Sequence, residues 1–310
     1  MALVFCLLGT TVPLTALAAG EDGEVQYIVS NDGTTLTIQG DGEITSQALN
    51  ANVTAEQKKT LTSVEIGAGV TGIADGYSSV FPAGVTNVTL KGSGAFRFGK
   101  YSFKGQKNLT VQSERTSLAI GSYAFHNAVL TEFPMDQLHT IGSYGFSNAV
   151  LPLEGETLTL RIEDQVDVEA QYPAISVGSC AFSGVKNKEG TAFSKASVTI
   201  GGTVQFGDYS FNASDVFGSS AALEELTFHL KEGAYLIFGG GALGIPALRS
   251  AVFTGTGQID FQHPSYRYVQ AAPFRNGKQV ETLDFSGFTG EITFCLLYTS
   301  PSPRDRTRSR

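Results

Sequence analysis

Two short motifs match patterns that are associated with chemistry in other proteins. Residues 239–244 read GGGALG and fit the G-x-G-x-x-G pattern of a dinucleotide-binding turn. Such a site also needs a helix that begins at the glycines and an acidic residue about 20 positions later. Pro246 follows almost at once and Asp260 is the only nearby acid, so we interpret the stretch as structural. Ser183 begins SGVK, an S-x-x-K match without an S-D-N or K-T-G partner motif, which favours a loop.

Acidic residues are the more serious candidates for catalysis, because glycoside hydrolysis needs two carboxyl groups that converge on one bond. The candidates in this chain do not recur at one position of the repeat described below. Their scatter favours solvated faces and loops over a catalytic pair. They are Glu132, Asp136, Glu154, Glu156, Glu163, Asp164, Asp167, Glu224 and Glu225.

Metal ligands are not concentrated anywhere in the sequence. Two acidic stretches, residues 31–35 (NDGTT) and 161–171 (RIEDQVDVEAQ), lack the spacing of a calcium-binding loop. The histidines occur singly, without the paired spacing of a zinc site. We therefore predict no metal, no cofactor and no catalytic residue. The histidines are His126, His139, His229 and His263.

Cysteine usage indicates that core burial, rather than disulfide bonding, must hold the fold. Cys6 and Cys295 lie in terminal segments that we do not assign to the fold, so only Cys180 remains. Cys180 occupies the position at which other copies of a repeated phrase have tyrosine. We expect a half-buried filler at this position, rather than a nucleophile. The tyrosines are Tyr123, Tyr144 and Tyr209.

Both ends of the chain differ in character from the rest. Residues 1–18 are mostly apolar and end in Ala-Leu-Ala, a small-x-small cleavage pattern, which predicts a signal peptide. No Lys or Arg precedes the apolar run, and a retained anchor is the alternative. Residues 295–310 are rich in Pro, Ser and Arg, which predicts a disordered tail. This tail resembles translated sequencing-adapter read-through and we interpret it as artefactual, with a basic interaction tail as the alternative.

Composition limits the partners that the chain can have. It contains 29 acidic and 21 basic residues and has a formal net charge of −8. An acidic surface repels phosphate backbones and anionic membranes, so we expect no nucleic acid and no membrane insertion of the mature repeat region. The 42% of apolar residues predicts a folded core. We expect a monomer that is secreted or displayed on the cell surface.

The elements that must position any site come from an internal repeat. Residues 120–129 (IGSYAFHNAV) and 141–150 (IGSYGFSNAV) are nearly identical, and the pattern apolar-Gly-x-x-small-Phe recurs along the chain. Repeats of 20–50 residues indicate stacked units. We predict that the glycine lets the chain change direction and that the closing residues stack in one core. The predicted core residues are Phe103, Phe125, Phe146, Phe182, Phe211, Leu243, Ile120 and Ile141.

A second phrase follows each copy of the first and alternates between apolar and polar residues, as in residues 157–162 (TLTLRI) and 280–285 (VETLDF). Alternation over four to six residues predicts short strands. Two apolar segments, residues 25–29 and 36–38, flank Asn-Asp-Gly at 31–33, which predicts a β-hairpin. We expect this hairpin to form an N-terminal cap over residues 19–59, together with one short helix within residues 47–59.

The two phrases together resemble the BspA-type leucine-rich repeat of bacterial surface and secreted proteins. The resemblance extends to residues 32–44 (DGTTLTIQGDGEI) and 64–76 (VEIGAGVTGIADG), whereas Asp-Gly-Tyr at 75–77 replaces the expected Ala-Phe. It implies a mainly β leucine-rich-repeat solenoid of short parallel strands over residues 60–294.

The predicted function follows from a repeat array in which no set of side chains is expected to converge on a catalytic site. We expect a non-catalytic scaffold for adhesion or recognition, which binds a protein or glycan ligand outside the cell, because solenoids present long contact surfaces. A carbohydrate-active β-solenoid enzyme and a passive surface stalk are the alternatives.

Overall fold

The computed structural model describes residues 24–163, 175–207, 215–218, 222–261, 273–274, 277 and 279–294. The predicted signal peptide and the predicted tail therefore lie outside the described residues. The described part is mainly β, with two short α-helices and one 3₁₀-helix. No helix in these ranges is long and apolar enough to cross a bilayer.

The strands are short, mostly three to seven residues. In chain order they are β1 (Gln26–Val29), β2 (Thr35–Gln39), β3 (Gly42–Ile44), β4 (Ser63–Ile66), β5 (Val70–Ile73), β6 (Asn87–Leu90), β7 (Ala95–Phe98), β8 (Leu109–Ser113), β9 (Ser117–Ile120), β10 (Leu130–Glu132), β11 (Leu138–Ile141), β12 (Thr157–Glu163), β13 (Ile175–Val177), β14 (Lys195–Gly201), β15 (Thr203–Phe206), β16 (Glu225–Leu230), β17 (Tyr235–Phe238), β18 (Ser250–Gly255), β19 (Gln258–Asp260), β20 (Thr282–Phe288) and β21 (Glu291–Thr293). The helices are α1 (Ser46–Asn52), α2 (Ala55–Thr60) and a 3₁₀-helix (Met135–Gln137).

From β2 onward, consecutive strands belong alternately to opposite sheets, so the chain winds in coils. The odd-numbered strands from β3 to β21 form one ten-stranded sheet. Opposite it lie a six-stranded sheet in the order β1-β2-β4-β6-β8-β10 and a five-stranded sheet in the order β12-β14-β16-β18-β20. Every pairing except β1 with β2 is parallel. The prediction of a mainly β chain of short parallel strands, with a solenoid-like course, is confirmed.

Alternating sequences form these strands because each strand has one face in the core. In β12 the side chains of Leu158, Leu160 and Ile162 are buried while their neighbours face outward. Leu160 pairs in register with Val198 of the next coil, and this valine pairs with Phe228. Apolar side chains thus lie directly over one another, which is the packing that stacked repeats require.

The N-terminal hairpin adds one antiparallel strand to the edge of the six-stranded sheet, and β2 then pairs in parallel with β4. The expectation of one short helix within residues 47–59 was wrong, since α1 and α2 are separate. Val53 lies between them in an extended conformation and is buried. Thr54 then begins a new helix through a capping box with Gln57.

A column of stacked phenylalanine rings runs through the core. Phe103, Phe125, Phe146 and Phe182 are fully buried, and the centroids of successive rings are 5.6, 5.4 and 5.6 Å apart with interplanar angles of 3 to 8°. Each ring also gains from apolar burial, about 1.5–3 kcal/mol. The other predicted core residues within the described ranges, Ile120, Ile141 and Leu243, are buried as well.

Two further rings continue this column at positions that the sequence phrases did not indicate. Phe81 stacks on Phe103 at 5.4 Å, four residues beyond the point where Asp-Gly-Tyr replaces the phrase. At the other end Phe217 lies 6.3 Å from Phe182. The backbone register agrees, since the Phe182 amide donates to Val216. The predicted Phe211 lies outside the described residues.

The glycine of the phrase has the positive φ that favours glycine at Gly207, where φ is 90°, but not at Gly121. Gly121 does not have a positive φ, and its role is close packing, since a Cβ there would lie 2.7 Å from the carbonyl oxygen of Phe98 in the preceding coil. The chain also turns at non-glycine residues in the left-handed region, with φ between 53° and 63°. Those within the repeated turns are Tyr101, Tyr123, Asn127, Tyr144, Asn148 and Cys180.

The division between the six- and five-stranded sheets follows from the segment after β10. Phe133 points inward, with its ring edge-on to Phe125 and Phe146. Pro134 comes next and has no N–H for a strand ladder. The 3₁₀-helix replaces further strand pairing, and β12 packs against that helix and does not pair with β10.

One buried cation joins distant coils. Arg115 is 3% exposed, and its guanidinium donates to the carbonyl oxygens of Gly67, Ala68 and Val70 at 2.7 to 3.1 Å. The guanidinium also lies 5.4 Å from the ring centroid of Phe96. Burial lowers the pKa of Arg115, and these carbonyls replace part of its hydration.

We expect Phe146→Ala to lower the free energy of unfolding by about 3–5 kcal/mol, because it removes a ring from the middle of the column and leaves a cavity. Phe294→Ala is the matched control, because that ring is 56% exposed. The control should cost about 1 kcal/mol or less. Urea unfolding monitored by circular dichroism measures both, and equal losses would contradict the proposed column.

We expect Arg115→Met to lower the free energy of unfolding by about 2–4 kcal/mol, because three buried carbonyl groups lose a donor. Arg115→Lys should recover only part of this loss, since an ammonium lacks the planar fork of the guanidinium. Thermal unfolding compares the three proteins. A methionine variant as stable as the parent would show that the carbonyls do not depend on Arg115.

Candidate functional site

Tyrosine rings form a second stack at the corner of the coils, outside the phenylalanine column. Tyr101 and Tyr123 lie 5.2 Å apart between ring centroids, and Tyr123 and Tyr144 lie 4.8 Å apart with an interplanar angle of 7°. All three are partly exposed. Each comes two residues before a column phenylalanine, so the repeat that buries one ring also places the other at the surface. We call these three residues the tyrosine stack.

The stack ends at Cys180, which holds the same position in the next coil. A hydrogen bond with Cys180 raises the pKa of Tyr144, and partial burial raises the pKa of Tyr123. Cys180 is a partly exposed thiol outside any disulfide bond of the described residues, and its place in the turn is that of the tyrosines. Tyr209, the fourth residue predicted at this position, lies outside the described residues.

Two lysines lie at the other end of the stack. The ammonium nitrogens of Lys100 and Lys104 are each 5.1 Å from the ring centroid of Tyr101. Within the described part of the chain, neither nitrogen has a carboxylate within 4 Å. An ammonium over an aromatic ring gains about 0.5–1 kcal/mol at an exposed site, and it keeps its charge available.

A shallow groove of about 250 Å³ adjoins the stack on the outer face of the ten-stranded sheet. Lys100 lines one end of it, so the groove and the tyrosine stack form one surface. The floor is formed by small side chains and backbone, and Ser122 and Thr140 contribute hydroxyl-bearing side chains to its lining. The floor residues are Ala119, Ile120, Gly121, Ser122, Thr140 and Gly142.

Asp75 and Arg97 close the same end of the groove. The guanidinium of Arg97 forms an ion pair with Asp75 and lies 3.8 Å from a carboxylate oxygen of Glu43. The backbone N–H of Lys100 donates to Asp75 at 2.8 Å. That hydrogen bond, together with Arg97, lowers the pKa of Asp75, which is therefore an anion at neutral pH and an acceptor for hydroxyl donors.

His126 borders the stack edge-on, with its ring 5.5 Å from that of Tyr123. Burial and the nearby Lys104 lower its pKa, so the imidazole is neutral at pH 7. His229 lies elsewhere, with its Nδ1 3.0 Å from the Thr254 hydroxyl, and His263 lies outside the described residues. His139, on β11, contacts the hydroxyl of Thr140.

The acidic residues considered for catalysis are distributed over ion pairs along the coils. Glu163 accepts hydrogen bonds from Arg161 and Lys231, which lower its pKa against the opposing effect of partial burial. The carboxylates of Glu154, Glu156, Glu224 and Glu225 each lie near a lysine or arginine. Glu132 accepts from Gln112, and Asp136 lies on the 3₁₀-helix. Asp164 and Asp167 lie outside the described residues.

The remaining motifs lie in turns. Residues 239–244 follow β17 as turns, no helix begins there, and Leu243 is buried. Ser183 follows the buried Phe182 in the corresponding turn of its coil. Asp32, in the predicted hairpin turn, accepts from the Thr34 amide. In the described ranges no three His, Cys, Asp or Glu side chains are grouped to hold a metal ion.

Asp215 is a buried carboxyl group that the sequence did not mark as unusual. It is 8% exposed, and burial raises its pKa to about 7 although the Phe217 amide donates to it at 3.0 Å. The backbone carbonyl oxygen of Asp215 accepts from the Cys180 amide, so Asp215 lies in the turn that stacks on the Cys180 turn.

Tyr101 was also missed by the sequence analysis, although it holds the tyrosine position in FGKYSF, residues 98–103.

Comparisons of the chain with family models, with curated proteins and with solved structures found no match. The function of the surface is therefore inferred from its geometry and its chemistry.

We expect Asp215→Asn to stabilise the protein above neutral pH and to flatten its pH profile. The folded-state pKa lies above the ordinary value of 3.8, so the native state holds a proton that the unfolded chain releases, and stability falls as pH rises from about 4 to about 7. An asparagine side chain does not titrate, so the native state no longer binds this extra proton. Its amide oxygen can still accept from the Phe217 N–H. Melting temperatures at about pH 5 and about pH 8 measure the effect. If the melting temperature of the variant changes between the two pH values as much as that of the parent, the prediction is wrong.

Proposed function

We propose that the chain is a non-catalytic recognition scaffold of the BspA-type leucine-rich-repeat class, secreted or displayed on the cell surface. It binds a protein or glycan partner through the tyrosine stack and the adjoining groove. The observation that supports this most directly is the regular row of partly exposed rings beside a groove with polar groups. Binding sites combine apolar or aromatic contact area with a few placed polar groups in this way.

The rigidity of the array favours recognition. Each turn is hydrogen-bonded to the next, as in the Tyr123 amide to Ser143 at 3.1 Å and the Phe125 amide to Gly145 at 2.8 Å. Rings held in this way lose little side-chain entropy when a ligand binds, which increases affinity for a given contact area. Tyrosine is common at interfaces because it joins apolar area to a polar tip.

The protonation states near the groove support a non-catalytic role over a carbohydrate-active enzyme. A glycoside-cleaving site needs a carboxyl group whose pKa is raised, placed about 5–10 Å from a second carboxyl. Asp75 in the groove has a lowered pKa and is engaged by Arg97. Asp215 has a raised pKa, but its side chain is buried in a core turn.

The aromatic surface favours recognition over a passive stalk. A stalk needs only a uniformly polar exterior, and partly exposed rings would add nothing to it. Placement outside the cell is supported by the apolar segment 1–18, which ends in a small-x-small cleavage pattern.

We expect Tyr123→Asn combined with Tyr144→Asn to weaken partner binding at least about tenfold, because two rings of the stack are lost. Asparagine is chosen because it tolerates the left-handed backbone at these positions. A panel of extracellular matrix proteins and a glycan array identify the partner, and surface plasmon resonance measures the affinity. His229→Asn, an exposed ring on the five-stranded sheet, is the control and should bind normally.

Two results would contradict the proposal. One is the absence of binding to every protein and glycan in the two panels. The other is a partner that binds the double tyrosine variant as tightly as the parent while circular dichroism shows both to be folded.

A further inference from the structure

Lys100 and Lys104 are grouped in a way that the ion-paired lysines of the surface are not. Lys91, Lys188, Lys195 and Lys231 each have a carboxylate partner, as expected in a chain of net charge −8. The ammonium groups of Lys100 and Lys104 instead meet at one tyrosine ring, with no carboxylate within 4 Å among the described residues. Two cations at one ring, with no carboxylate within 4 Å of either among the described residues, form a local site for an anion.

From this arrangement we infer that the surface selects an acidic saccharide, whose carboxylate or sulfate group binds between Lys100 and Lys104 while a sugar ring occupies the groove. This inference rests on the proposed recognition function and specifies its ligand class. Lys100 belongs to both parts of the surface, since its side chain lines the groove and contacts Tyr101. An anionic group there displaces no intramolecular ion pair.

The groove supplies the hydrogen-bonding groups that sugar hydroxyls need. The Asp75 carboxylate is an acceptor, and the hydroxyls of Ser122 and Thr140 both donate and accept. Asp75 does not form an ion pair with the Lys100 ammonium, because its carboxylate binds Arg97 and the Lys100 backbone N–H. The Asp75 carboxylate and the ammonium groups of Lys100 and Lys104 therefore lie at the same end of the groove without forming an ion pair with one another.

An exposed ring lies next to this end. Tyr77 is 100% exposed, and the preceding Gly76 donates its backbone N–H to the Lys100 carbonyl at 3.0 Å. Gly76 thus occupies, in the preceding coil, the position that Tyr101 has in its own. The apolar face of a pyranose can pack on such a ring, and the burial of a fully exposed aromatic is favourable. The groove is small and its lining combines polar and apolar groups, which suits a sugar unit better than an extended peptide.

Isothermal titration calorimetry with the full chain tests the inference with matched probes. The acidic probes are hyaluronan and heparin oligosaccharides. The neutral probe is a chitin oligosaccharide, which shares N-acetylglucosamine with hyaluronan, and an oligoglutamate peptide tests for an acidic polypeptide. We expect at least one acidic saccharide to bind about tenfold or more tightly than the chitin oligosaccharide and the peptide, with affinity that falls as salt increases.

Variants assign the binding to the lysines. Lys100→Gln with Lys104→Gln should weaken acidic-saccharide binding about tenfold or more, because both charge-assisted contacts are lost. Lys58→Gln with Lys59→Gln on α2 changes the net charge equally and should bind as the parent does. Tyr77→Ala should weaken binding without changing its salt dependence. Circular dichroism verifies that each variant is folded.

The outcomes separate this inference from the proposed function. Equal binding of the chitin probe, tighter binding of the peptide, or unchanged affinity in the Lys100 and Lys104 variant would overturn the acidic-saccharide assignment. If neither acidic probe binds but a neutral glycan or a matrix protein does, the assignment is wrong and the recognition function stands. Absence of binding to all probes and panels would overturn both.

Discussion

Parallel hydrogen bonding between successive coils is the constraint on which the rest of the structure depends. It holds equivalent residues of neighbouring coils about 4.7–4.9 Å apart, and equivalent side chains must then meet face to face. Inside the coil this spacing stacks Phe103, Phe125, Phe146 and Phe182 with nearly parallel rings. At the corner it stacks the three tyrosines at 4.8 to 5.2 Å. The core and the candidate binding surface therefore have one physical origin.

The close approach of the coils explains which residue types lie between the phenylalanine column and the tyrosine stack. A side chain on Gly121 would collide with the backbone of the preceding coil, so glycine is needed there for space. The tight turn that follows places Tyr123 in a left-handed conformation that costs about 1–2 kcal/mol for most residues. Stacking on both neighbouring tyrosines and burial of Phe125 offset that cost, so stability and the exposed stack are linked.

The electrostatic arrangement depends on the same geometry. Many exposed cations pair with an acid, as Lys195 does with Glu156 and Glu225. Such pairs are worth little individually, because exposed ion pairs contribute about 0–1 kcal/mol. At the corner, Lys100 and Lys104 flank a tyrosine in the turn, where no carboxylate lies within 4 Å of either ammonium among the described residues. The array thus places two lysines that lack a close carboxylate beside its exposed aromatic rings.

The sequence by itself determined the features that recur at a constant position in the phrase: the short alternating strands, the hairpin, the buried Phe103 to Phe182 and the half-buried tyrosine position. These are local, because each copy repeats the same residue types at the same spacing. Only the tertiary structure decided which rings continue the column where the phrase is interrupted, Phe81 and Phe217. It alone joined Arg115 to carbonyls 45 to 48 residues away and formed the groove from four segments of chain. Those contacts depend on how coils of unequal length stack, which no single copy of the phrase specifies.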